Sequence, residues 1–114
     1  MSIDPSSPLP EGIGIGHAVS IGRDVLLRAS MTVGERVRIA ARVIFADDRS
    51  DATVLQDGVR IGPAAVIGAG VRVGHGAEVR PGAVVMSDVP PNAIVEGNPA
   101  RIVGYIQTTG PATG

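Results

Sequence analysis

The 114-residue sequence predicts an all-β single domain, wound as a three-sided parallel β-helix of about four coils with a short protruding loop. An aliphatic residue returns at every sixth position, as Ile15, Ile21, Leu27, Val33, Ile39 and Phe45, then as Leu55, Ile61, Ile67, Val73, Val79 and Val85. A second apolar or small set runs two residues ahead of it, from Ile13, Val19 and Val25 through to Ala77 and Ala83. Gly follows six of the twelve primary positions, at Gly16, Gly22, Gly34, Gly62, Gly68 and Gly74.

Side chains two apart share a face of an extended chain, and neither a 3.6-residue nor a heptad period survives a strict step of six. A strand with only two or three inward residues cannot bury its apolar side alone, so successive units must turn and stack. Three units make one triangular coil of about 18 residues. The resulting core is a narrow prism, suited to Val, Ile and Ala, in a chain with one Phe, one Tyr and no Trp.

Residues 1–12 form a lead-in, where Pro5, Pro8 and Pro10 among Ser6, Ser7 and Gly12 favour a loop or loose cap. The repeat spans residues 13–89. It is broken once, where the step from Phe45 to Leu55 is ten residues instead of six. Four extra residues within 46–52 must therefore leave the prism at a corner, because charged groups cannot enter so thin a core unpaired. Pro90 and Pro91 remove two backbone donors and end the ladder, leaving residues 90–106 as a C-terminal extension. Residues 107–114 (QTTGPATG) read as a disordered tail.

With the insert at a corner, Ile15, Val33, Leu55 and Val73 line one face. Ile21, Ile39, Ile61 and Val79 line the second, and Leu27, Phe45, Ile67 and Val85 the third. The residue before each inward one points outward. On the second face these are Ser20, Arg38, Arg60 and Glu78, as expected for a wetted surface. On the third they are Leu26, Ile44, Val66 and Val84, an apolar stripe that predicts a subunit contact, since each aliphatic left in water forgoes roughly 1.5–3 kcal/mol of burial.

A net charge of −1 with no basic face or charged run gives no electrostatic case for nucleic acid or an anionic membrane. No apolar run approaches the length that crosses a bilayer. Without cysteine there is neither a disulfide framework nor a thiolate zinc site. No basic stretch followed by an apolar segment opens the chain, so the default compartment is the cytoplasm.

The segment VRIGPAAVIG at 59–68, GAVV at 82–85 and DVPPNAIVEGNPARIVGY at 88–105 resemble hexapeptide-repeat acyltransferases. Within that superfamily, Met1-Ser2-Ile3 and the stretch at 43–48 are most similar to nucleotide-sugar N-acetyltransferases. The resemblance implies a left-handed winding, a homotrimer joined through Leu26, Ile44, Val66 and Val84, and acetyl-CoA as acyl donor in the groove between adjacent prisms. The implied acceptor is a sugar, nucleotide-linked and carrying an amine. Arg101, the last basic residue of GNPAR, corresponds to a group near the cofactor phosphates, where a guanidinium supplies several donors and a permanent charge. Pro63, Gly68, Pro81 and Ala83 fall at the other cofactor positions. Where the family has small residues whose backbone holds the pantetheine arm, Pro63 and Pro81 offer a carbonyl but no N–H.

The family's O-acetyltransferases carry a catalytic His in or near the protruding loop, to take a proton from a hydroxyl. This loop has none. An amine needs less help, and Asp47 or Asp48 could orient it and receive its proton; a solvated turn is the alternative for the same ADDRSD segment. His75 is a further candidate base, with a solvated corner residue as the alternative. His17 and His75 share a corner column with Glu35 and Asp57, but two imidazoles in the first and last coils cannot form a three-His zinc site. That leaves a carbonic-anhydrase-like function disfavoured. A non-catalytic trimeric scaffold that kept the fold and lost the chemistry stands as the competing function.

Overall fold

A computed structural model describes residues 1–46 and 52–106, and every regular element in them is a β-strand. The chain winds as a three-sided parallel solenoid of about five turns. On the first face β2 (Gly14–Ile15), β4 (Thr32–Val33), β7 (Val54–Leu55) and β10 (Arg72–Val73) pair in that order. The second face is a seven-stranded sheet. It runs β1 (Ser2–Ile3), β3 (Ser20–Ile21), β5 (Arg38–Ile39), β8 (Arg60–Ile61), β11 (Glu78–Val79), β13 (Ala93–Gly97) and β14 (Ala100–Tyr105). The third face holds β6 (Ile44–Phe45), β9 (Val66–Ile67) and β12 (Val84–Val85), extended by a parallel bridge from Leu26 to Ile44.

The registers are those set by the six-residue step. Val33 pairs with Leu55, Ile39 with Ile61 and Phe45 with Ile67, so the insert falls at a corner and no face is skipped. Of the two inward sets, Ile13 and Ile15 in the first rung are half-buried, and every later member is at most 4% exposed. Phe45 is the largest fully buried side chain.

Glycine after an inward residue answers a demand for space. A Cβ at Gly62 would lie 2.6 Å from the backbone nitrogen of Pro81 one coil on, and one at Gly74 would lie 2.5 Å from that of Pro91. The corners are that closely stacked.

Both ends depart from expectation. The lead-in is no loose cap: β1 pairs in parallel with β3, and Ser7, 1% exposed, donates its hydroxyl to the Gly22 carbonyl at 2.7 Å and accepts from the Val25 N–H at 2.9 Å. Asp4 accepts from the Ser6 N–H and hydroxyl, and these bonds hold its carboxyl below the ordinary carboxylate range. Nor do Pro90 and Pro91 end the ladder. They occupy a corner, after which β13 continues the second face beside β11 and β14 folds back antiparallel to it. Pro90 and Pro91 follow the last bridge of the first face, Val73 to Val89, beyond which no further coil of that face among the described residues offers a carbonyl to the missing N–H groups. The tail at 107–114 lies outside the described residues, among which no helix is long and apolar enough to cross a membrane.

Candidate functional site

Each coil turns through three corners, which stack into columns along the prism. The corner between the second and third faces carries residues 62–64 and, one coil on, 80–82. Ala64 donates to the Ala41 carbonyl at 3.0 Å, and Gly82 donates to the Pro63 carbonyl at 2.9 Å. Pro63 thus spends its carbonyl on the neighbouring coil. Pro81, at the end of the column, accepts no hydrogen bond among the described residues. Both prolines are exposed, so this corner presents rings and one open carbonyl instead of a row of N–H groups.

Gly68 belongs to the next corner, between the third and first faces, in a column with Arg28, Ala46 and Met86. It is buried, and the Met86 side chain sits where a Cβ on Gly68 would make contact at 3.4 Å. The insert leaves from this column: Ala46 donates to the Ile67 carbonyl at 2.9 Å and Arg28 Nε to the Phe45 carbonyl at 3.1 Å. Asp47 and Asp48 lie outside the described residues. Met86 and Arg101 line one groove of about 390 Å³ at the C-terminal end, with Asp88, Pro99 and Ile102. Arg101 is exposed, opposite Glu96 on β13. Ala83 is 0% exposed, its methyl turned to the prism axis.

His75 stands on the remaining corner, between the first and second faces, across the second face from Pro63 and Pro81. It is exposed, its backbone N–H donates to Gln56 Oε1 at 3.0 Å, and it borders a shallow groove with Gln56 and Asp57. The corner column is real: Arg36, Gly58, Gly76 and Asn92 donate to the carbonyls of His17, Glu35, Asp57 and His75 in turn. Among the described residues no three His, Cys, Asp or Glu groups converge as metal ligands. Of the described candidates, Pro63 with Pro81, Gly68, and His75 therefore fall on three separate corners, while Ala83 faces the axis and Arg101 lies on β14.

The second face holds what the sequence reading passed over as wetted surface. A groove of about 770 Å³ runs along it from Ser2 and Ser20 past Arg38 and Arg60 to Glu78 and Pro81. Glu78 bonds two guanidiniums, Arg60 at 3.3 Å and Arg80 at 3.2 Å. The visible signal was the phase: Arg38 and Arg60 are in register and outward, with small residues at Ala40 and Gly62 on the flanking corner.

The third-face stripe is aligned as expected. Val66 pairs with Ile44 and Val84, with Leu26 bridged to Ile44, and Leu26 and Ile44 are 55% and 57% exposed.

Comparison with known proteins gives this geometry a setting. Residues 52–87 match the family model described as bacterial transferase hexapeptide (six repeats). The chain is 31% identical to the serine acetyltransferase of Escherichia coli strain K12 over 106 residues, covering 91% of this chain and 38% of that protein. It is 44% identical over 54 residues to the dTDP-3-amino-3,6-dideoxy-alpha-D-galactopyranose 3-N-acetyltransferase of Aneurinibacillus thermoaerophilus, covering 47% of this chain and 28% of that one. A serine acetyltransferase solved in complex with CoA superposes with a TM-score of 0.72 at 29% identity, covering 81% of this chain and 40% of the other. The chain spans about a third of the length of the curated relatives it first matches, 32% and 38%. Over residues 52–87, where its strands step by six, the chain is similar to the hexapeptide repeat of bacterial transferases.

Proposed function

We propose that this chain is an acetyltransferase that uses acetyl-CoA as acyl donor and acylates an amine, carried by a nucleotide-linked sugar, between the subunits of a homotrimer. One observation carries the proposal: 91% of the chain aligns with an acetyltransferase whose relatives include one solved with CoA. The amino-sugar acceptor has narrower support, in the 54-residue likeness to a dTDP-amino-sugar N-acetyltransferase and in the absence of His from residues 46–52.

Three-fold association through Leu26, Ile44, Val66 and Val84 sets the corner of Pro63 and Pro81 in one subunit against the insert-bearing corner of the next. In this site Pro81 and the Gly68 corner flank the pantetheine arm, and Arg101 pairs with the donor's phosphates as a permanent cation. The acceptor nitrogen bonds to the acetyl carbon as the carbon–sulfur bond breaks. A carboxylate of the insert takes the nitrogen's proton, and the departing thiolate is protonated by water. A groove-facing backbone N–H suits the developing oxyanion.

A non-catalytic scaffold is the second reading, favoured by two prolines without N–H groups and by a Pro63 carbonyl already spent on Gly82. Thiol release from acetyl-CoA, followed with nucleotide-linked amino sugars and with serine as acceptors, separates the two. The transferase yields free CoA with an amino sugar, and Arg101→Ala raises the KM for acetyl-CoA about tenfold, the loss of one charge-assisted contact. No thiol with any acceptor leaves the scaffold.

A further inference from the structure

The outward column of the second face reads Ser2, Ser20, Arg38, Arg60 and Glu78, each the direct cross-strand neighbour of the next. Neighbouring rungs lie about 4.8 Å apart, and like charges directly opposite one another destabilise a sheet. Arg38 and Arg60 are such a pair. Glu78 offers one carboxylate to Arg60 and Arg80 together, while Arg38 has no ion pair among the described residues. Arg38, Arg60 and Arg80 against two carboxylates, Glu78 and, at the N-terminal end of the groove, Asp4, leave a local excess of one positive charge in a chain of net charge −1. All of these groups line the same groove of about 770 Å³, and Gly22, Ala40 and Gly62 along its corner keep it open.

We propose that this groove binds a small dianionic group, a phosphate ester or a dicarboxylate, between Arg38 and Arg60, with the Ser20 hydroxyl as a further donor. The anion relieves the repulsion between two stacked guanidiniums, and planar guanidinium forks match the oxygens of either group. The groove ends at Gly62 and Pro81, on the corner assigned above to the acyl donor. Arg101 stands four strands away from Arg38, about 19 Å at rung spacing, so the donor's phosphates and this dianion occupy separate places. Resting on the acetyl-transfer reading, the dianion is therefore the anionic part of the acceptor.

Thermal melting at fixed ionic strength tests the site, with inorganic phosphate, a nucleoside diphosphate and malonate as probes and chloride as the reference. The wild-type protein is expected to melt higher in at least one dianion than in chloride, and Arg38→Gln and Arg60→Gln to need at least tenfold more of it for the same shift. Preference for the nucleoside diphosphate identifies a phosphate-ester acceptor, and preference for malonate a dicarboxylate. Arg38→Gln breaks no ion pair and is expected to melt no lower than wild type in chloride, which separates lost binding from lost folding. Equal melting in all the anions, or a wild-type response in Arg38→Gln, overturns the site. Acetyl-CoA is titrated in parallel: if it shifts neither protein while the dianion response stands, the acceptor assignment falls with the transferase and the anion site remains.

Discussion

A residue with positive φ recurs at the same place in successive turns, as Asp24, Arg36, Arg42 and Ala64, and as glycine at 58, 70, 76 and 82. The left-handed region costs a side-chain-bearing residue roughly 1–2 kcal/mol and glycine far less. Ala64→Gly is expected to raise stability by about 1 kcal/mol, and Gly82→Ala to lower it by a similar amount, read from urea midpoints. Nothing would lie within 4 Å of the new methyl at Gly82, so the backbone alone sets that loss. The sequence displays these glycines and those that follow inward residues, but the period does not say which serve φ and which serve space. Asp4 adds a pH signature. Its folded-state pKa is lowered, so its contribution is present above the unfolded carboxylate pKa of about 3.9 and lost as pH falls through the folded value. The stability gap between wild type and Asp4→Asn should accordingly close in urea melts below that range.

At the scale of strands, the six-residue step specified the three faces and their registers because two-residue rungs leave no freedom to slip: shifting one residue would expose Ile39 or Ile61. It also contained β1, since Ile3 lies one coil before Ile21 in phase, but the three prolines of the lead-in outweighed that single match. The C-terminal rung was hidden for a physical reason. Val95 pairs with Val79 at a spacing of sixteen, so the corner through Pro90 and Pro91 breaks the period while the chain returns to the same face. Ser7 distinguishes a built cap from a loose one. Ser7→Ala strands the Gly22 carbonyl and the Val25 N–H, and should cost about 1–3 kcal/mol of unfolding free energy, whereas a loose lead-in would lose nothing measurable.

For the whole molecule, the aligned stripe of Leu26, Ile44, Val66 and Val84 was legible because an outward apolar residue is anomalous wherever it repeats once per coil. Leu26→Asp combined with Ile44→Asp is expected to reduce the proposed trimer to a monomer in sedimentation velocity, and an unchanged mass would remove this face from the proposed assembly. The candidate site was less legible. Periodicity assigns a face to each residue but does not bring corners of different chains together, so His75, Pro81 and Arg101 stay apart within one prism. The arginine groove was missed because an outward charge reads as solvated until its neighbours in the next coils are known.

Acetyl-CoA titrated against melting temperature tests the account most directly, because a ligand that binds only the folded state stabilises it in proportion to the logarithm of its concentration above Kd. A steady rise of melting temperature with log concentration is expected, weakened in Arg101→Ala. A melting temperature unmoved at millimolar acetyl-CoA would contradict it.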